Sequence, residues 1–152
     1  MARASAQFDS YLDAVEGFLV QPWSDGLPTI PPTPERVEQM VAAGGRDGDG
    51  LIGTIPARQM SLHVWEAATC AVMAGCRPEY FPVVLATWDA MFDPRFNVHS
   101  AISSTSGPAI AAVVSGPYAE TIGMNAGVGV FGPGNRPNAS IGRAIRLGAM
   151  SV

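Results

Sequence analysis

Thiols and imidazoles are scarce in this sequence: two cysteines, Cys70 and Cys76, and two histidines, His63 and His99. Cys76 precedes Arg77-Pro78-Glu79, where a helix should open. A helix start and an adjacent cation both favour thiolate, so Cys76 is a candidate nucleophile or redox thiol. The competing reading is a small buried residue at a tight helix–helix corner. Cys70 lies six residues earlier, off the face that Cys76 would share, and reads as core. His99 stands beside the hydroxyl-rich run ending at Ser106 and is a candidate general base, unless strand alternation turns it to solvent. His63 and Glu66, at i and i+3, can share a metal, but the pair is not the His-Glu-x-x-His spacing and fills no coordination sphere. No metal site is therefore assigned. The Ser103–Ser106 cluster has no Gly-x-Ser-x-Gly elbow, and the chain has no lysine to activate a serine or form a Schiff base.

Binding chemistry concentrates in Phe131-Gly-Pro-Gly-Asn-Arg-Pro-Asn-Ala-Ser-Ile-Gly-Arg143. Glycine and proline fix unusual backbone angles there, and Asn138 is expected to cap the following helix, leaving N–H groups free for an anion. Arg136 and Arg143 offer forked guanidinium groups suited to carboxylate or phosphate. Asn135, Ser140 and, from the preceding Gly123-Met-Asn-Ala-Gly127, Asn125 can orient a bound molecule. Asn125 can equally adopt left-handed geometry, and the whole loop can equally be a structural turn with surface arginines. Gly127, Gly129, Gly132 and Gly134 match neither a Walker loop nor a dinucleotide fingerprint, so no cofactor is named.

The elements that must position these residues follow from periodicity. Phe8, Tyr11, Leu12, Val15, Phe18 and Leu19 repeat at helical spacing, giving an amphipathic helix ended by Pro22. A proline-stiffened connector leads to Thr33, which caps a second helix stopped by Gly44-Gly45. Leu51–Ile55 reads as a strand, Ser61–Ala74 as a third helix, and Cys76 to about Phe92 as a fourth. Val98–Ser103, Ala109–Ser115 and the Val128/Val130 segment read as strands, Pro117–Ile122 as a short helix, and Ala139–Met150 as the last helix. The fold class is α+β: N-terminal helices, a small sheet, the glycine-rich loop and a C-terminal helix. Residues 1–22 form an N-terminal amphipathic helix and 23–152 a single domain. Ile141, Ala144, Ile145 and Leu147 give that last helix an apolar side with no later segment to cover it.

The chain has 152 residues, 47% hydrophobic and only 14% charged, with a net charge of −4. That suits one domain with a sizeable core and some apolar surface lying against another chain. Its mean hydropathy is +0.18 and its pI about 5.0. Its nine basic residues are all arginine and are scattered, which argues against nucleic acid. No secretory leader and no apolar run of roughly 20 residues is visible, so the expectation is a cytoplasmic protein with reduced thiols and no membrane span.

Ser24-Asp-Gly-Leu-Pro-Thr-Ile-Pro-Pro-Thr33, Ala71-Val-Met-Ala-Gly-Cys-Arg-Pro-Glu-Tyr-Phe-Pro-Val-Val-Leu85 and Phe131-Gly-Pro-Gly-Asn-Arg together with Ile141-Gly-Arg-Ala144 resemble a poorly characterised bacterial family. That family is associated with thioredoxin-like (seleno)proteins carrying the UGSC motif. The resemblance runs from about Trp23 onward. It implies that Cys76, Asn135, Arg136, Asn138 and Arg143 fall on recurrent positions, and that a second protein subunit supplies a C-terminal half. His63-Val-Trp-Glu66 departs from the family's acidic-then-basic pair, and Gly107 stands where the family's turn carries a histidine. The functional expectation is a subunit of a heteromeric enzyme acting on a small polar or anionic metabolite by thiol-dependent lyase, hydrolase or reductive chemistry. In it, Cys76 and His99 are catalytic, and Asn125, Asn135, Arg136, Asn138, Ser140 and Arg143 bind substrate. The alternatives are a non-catalytic stabilising subunit of a two-component enzyme, and a metal-dependent enzyme with a site shared between chains.

Overall fold

The computed structural model describes residues 6–103 and 109–151. Its elements run α1 (Tyr11–Leu19), α2 (Pro34–Gly44), β1 (Leu51–Ile55), β2 (Met60–His63), α3 (Val64–Met73), α4 (Phe81–Met91), α5 (Val98–Ser103), α6 (Pro117–Thr121) and α7 (Arg136–Ser151). The fold is mixed α+β, with a two-stranded antiparallel sheet among the described residues.

The core grows around α3. Its residues Val64, Ala67, Ala68, Cys70, Ala71, Val72 and Met73 are all buried, so apolar side chains occupy nearly its whole circumference, as a central helix requires. Its alanines present little bulk, which lets α2, α4 and α7 approach closely. α4 contributes the largest side chains, with Phe81 and Trp88 fully buried and Trp88 stacked on Phe92 at 5.7 Å. Gly44 at the end of α2 meets that helix: a Cβ there would lie 2.7 Å from the Phe81 ring. The Gly148 position on α7 is equally tight, at 2.6 Å from the Trp88 ring. α7 buries Ile141, Ala144, Ile145, Leu147 and Gly148, a stripe at three- and four-residue spacing. Its apolar side is therefore covered by α3 and α4 within the chain, against the expectation that it lacks a surface to pack on.

β1 and β2 pair with Ile55 opposite Met60 and Gly53 opposite Leu62, with an irregularity between Leu51 and Gly53. The turn is a 3-10 stretch, Pro56–Arg58, closed by Gln59 at φ 53. The Met60–His63 strand displaces the expected start of α3. Helix begins at Val64, where His63 and Glu66 form a capping box: the Glu66 carboxylate accepts from the His63 backbone N–H at 2.7 Å. Ser61 is paired in the hairpin instead of capping the helix.

Three expected strands are not formed. Val98–Ser103 is a helix, seated by Val98, which is buried. Val128 and Val130 lie in a glycine-directed turn. Ala109–Ser115 has no regular secondary structure. Its strand-forming side chains have no partner strand among the described residues, and a strand requires one. The expected hydroxyl cluster beyond Ser103, with Gly107, lies outside the described residues. α1 stands at the periphery, with Ala14 its one buried residue. Phe18 meets the Phe8 ring edge-on at 5.3 Å and links α1 to the rest through a tilted contact with Trp23 at 5.7 Å.

Candidate functional site

The glycine-rich loop and the start of α7 form one hydrogen-bonded unit. Gly129 and Gly134 adopt φ +75 and φ +104, with nothing within 4 Å of where a Cβ would sit. Backbone conformation, not crowding, demands glycine at both. The chain then turns into α7 at Asn135, whose side-chain oxygen accepts from the Asn138 N–H at 3.1 Å. Its amide also donates to Gly123 O at 2.9 Å. The cap is thus Asn135, three residues upstream of the backbone N–H it holds, and not Asn138. Few N–H groups remain at this helix start for an anion. Pro137 has none, Asn138 is capped, and the Ala139 N–H reaches Asn135 O at 3.1 Å.

Asn138 clasps the loop from inside. Its amide donates to Asn125 O at 2.9 Å and Val130 O at 3.2 Å, and its oxygen accepts from the Asn125 N–H at 3.2 Å. The Asn125 side chain closes the same loop by accepting from Gly127 N–H at 2.9 Å and donating to Val128 O at 3.1 Å. The three asparagines expected to orient substrate are joined here, but their polar atoms are turned onto backbone.

Both arginines are likewise engaged. α3 ends in a Schellman arrangement, with Cys76 N–H to Ala71 O and Gly75 N–H to Val72 O, each at 2.9 Å, and Gly75 at φ +86. The Arg136 guanidinium donates twice to Gly75 O, at 3.0 and 2.9 Å, placing a cation at the negative end of α3. Arg143 pairs with Asp25 at 2.7 and 2.9 Å and donates to Leu27 O at 2.9 Å and Pro28 O at 3.0 Å. The pair is mostly buried, with side chains 21% and 13% exposed. Arg143 holds the Asp25 carboxyl below its ordinary range. Asp25 is the residue that sequence reasoning missed. Its signal was charge complementarity between two apolar-flanked motifs 118 residues apart.

Cys76 sits beneath this unit. Ser140 is buried and donates to Arg136 O at 2.7 Å. Burial pushes the Cys76 thiol up to about 11, against the smaller opposing pull of Ser140 and Arg136. The expected thiolate activation therefore runs in the other direction. Desolvation outweighs the nearby cation, and Arg77 turns away toward Glu79 at 3.8 Å. Cys70 is more deeply buried, its thiol pushed up to about 12.

His99 is not part of this cluster. It lies in α5 with Nδ1 3.2 Å from Ser103 Oγ, beside a cavity of about 220 Å³ shared with Thr54, Phe92 and Asp93. Phe92 and Asp93 follow the C-terminal end of α4, whereas Cys76 precedes the Pro78–Tyr80 turn that opens α4. The two candidate catalytic residues are thus separated by an 11-residue helix, about 16 Å long at 1.5 Å per residue. Among the described residues, no three His, Cys, Asp or Glu side chains gather as metal ligands, and His63 and Glu66 are accounted for by the capping box. No described helix is long and apolar enough to cross a membrane.

Comparison with known proteins found no matching family model, no matching curated protein and no matching solved structure.

Proposed function

We propose that this chain is a structural subunit of a heteromeric two-component enzyme, joined to its partner through the neutral segment that runs from Ala109 to Gly134. The observation that supports this is an uneven surface. Val113, Val128 and Phe131 are 96%, 102% and 94% exposed, with Tyr118 and Val130 also exposed. Between Phe96 and Asn135 the sequence carries one formally charged residue, Glu120. A soluble monomer rarely leaves so apolar a stretch in water, whereas an interface uses it. Ile110–Ser115 adds unpaired backbone: among the described residues none of its N–H or C=O groups finds a hydrogen-bond partner. A strand from another chain would satisfy them. The loop presenting Val128 and Phe131 is held by the asparagine clasp, so it meets a partner already ordered, at reduced entropic cost.

The test is assembly with the partner subunit isolated from the native source, followed by sedimentation. Val128→Asp with Phe131→Asp is expected to abolish the complex while leaving the thermal midpoint of the isolated chain unchanged, since neither side chain is packed. An intact complex in that variant refutes the reading.

One observation favours a second reading, in which the subunit lends a thiol to a site shared with its partner and acts on a small polar or anionic metabolite. Arg136 donates to the carbonyl of Gly75, the residue before Cys76, and Ser140 donates to Arg136 O, so a cation and a hydroxyl are fixed beside the buried thiol. In that case Cys76→Ser and Arg136→Ala each abolish turnover of the assembled complex without dissociating it. Full turnover in both eliminates it.

A further inference from the structure

α7 faces α5 and the described residues Ala109 and Ile110. Between them lies a cleft of about 360 Å³, lined chiefly by Ala101, Ile102, Ile110, Gly142, Ile145 and Arg146. That volume falls at the small end of ligand-binding clefts, which run from about 300 to 1,000 Å³. Among the described residues, all its lining side chains are apolar except that of Arg146. The charge at its edge is uncompensated: Arg146 makes no hydrogen bond or ion pair with any described residue. Arg143, one turn earlier on the same helix, is paired with Asp25. The described lining contains no acid to compete for the cation.

A small apolar cleft with one unpaired guanidinium at its edge has a defined chemical complement. The apolar walls favour a short hydrocarbon chain, and the planar fork favours a carboxylate, which it can grip through two parallel hydrogen bonds. A phosphate dianion would call for further donors, and Arg146 is the one charged donor among the described lining residues. We propose that the cleft between α5 and α7 binds a small amphipathic monocarboxylate, its chain along Ile102, Ile110 and Ile145 and its carboxylate on Arg146. This site is distinct from the Val128–Phe131 surface but shares Ile110 with the proposed interface segment, so it is tested on the isolated chain and does not rest on the subunit reading.

Calorimetric titration of the full chain with octanoate, and with the neutral probe octanol, tests it. Saturable binding of one octanoate is expected, tightening about three- to fourfold for each methylene added from hexanoate, as burial of one CH₂ implies. Arg146→Gln should weaken octanoate at least tenfold and leave octanol unchanged. Gly142→Leu should abolish both, because a Cβ at Gly142 meets nothing within 4 Å and the added side chain enters the cleft instead of the core. A thermal midpoint at or above wild type shows that this variant is folded; if it is lower, Arg146→Gln alone carries the test. Absence of saturable octanoate binding overturns the proposal. So does equal loss of octanoate and octanol in Arg146→Gln, or equal affinity for both in wild type, which would mark a merely apolar surface of the kind a protein partner covers.

Discussion

Replacing Arg143 by Met asks whether its guanidinium is a brace or a ligand. The wild-type group makes four hydrogen bonds, two to the Asp25 carboxylate and one each to Leu27 O and Pro28 O. Met keeps the apolar stem and removes every donor. The Asp25 side chain is 13% exposed, so the variant strands a mostly buried carboxylate. Breaking a fully buried pair costs about 3–5 kcal/mol, and an exposed one about 0–1 kcal/mol. The intermediate burial places Arg143→Met at about 2–4 kcal/mol, and Asp25→Asn, which spares both carbonyl contacts, at about 1–2 kcal/mol. For a domain of this size the larger loss is roughly 5–15 °C in Tm. Denaturant unfolding followed by circular dichroism measures each variant and the double variant, and the cycle should return a coupling of about 1–3 kcal/mol. The pH dependence has a defined sign. The folded carboxyl titrates below its unfolded value, so the pair stabilises fully above about pH 4, and its contribution is lost as pH falls through the folded pKa. The stability gap between wild type and Asp25→Asn should therefore be constant at neutral pH and close in acid. A cost under about 0.5 kcal/mol for Arg143→Met, with no coupling to Asp25, would refute the brace. It would return Arg143 to the role of substrate clamp.

Because burial holds the Cys76 thiol up at about 11, iodoacetamide at pH 7.5 should leave native Cys76 unmodified and label it only on unfolding. Rapid native labelling with a rate plateau near neutral pH would show that the thiolate is populated and accessible after all. On α7, Gly148→Ala is expected to destabilise by about 1–3 kcal/mol through overpacking against Trp88. Gly142→Ala on the same helix is expected to stabilise by about 0.5–1 kcal/mol, as helix propensity dictates in open space. Equal effects at the two glycines in thermal melts would mean that α7 does not lie against α4 as described.

Local signals carried most of the helices. Pro34 after Thr33 and Gly45 at φ +65 bound α2, and Gly75 stops α3, because capping chemistry is decided within a few residues. The stretch Val98–Ser103 shows the limit. Its β-branched and apolar residues are compatible with either period over six positions, and only the burial of Val98 against the core selects helix. The α3 start at Val64 differs from the expected Ser61 for a related reason: Met60–His63 becomes a strand only because Leu51–Ile55 pairs with it, and pairing is not local. Of the candidate site residues, Asn125, Asn135 and Asn138 are joined by hydrogen bonds and Ser140 meets Arg136, whereas Arg143 is held by Asp25 and His99 lies apart on α5.

What each of them touches was decided by the tertiary structure. Asp25 reaches Arg143 across 118 residues and Arg136 reaches Gly75 across 61. Whether a guanidinium faces a substrate or a carbonyl depends on which distant backbone folding brings within 3 Å. The same holds for Cys76. Its neighbours in sequence predicted an activated thiol, but its neighbours in space exclude water, and desolvation of a charge outweighs one nearby cation. Sequence alone thus determined the composition, the punctuation and the identity of the polar cluster. Burial and long-range pairing, which are properties of the packed chain, determined what that cluster holds.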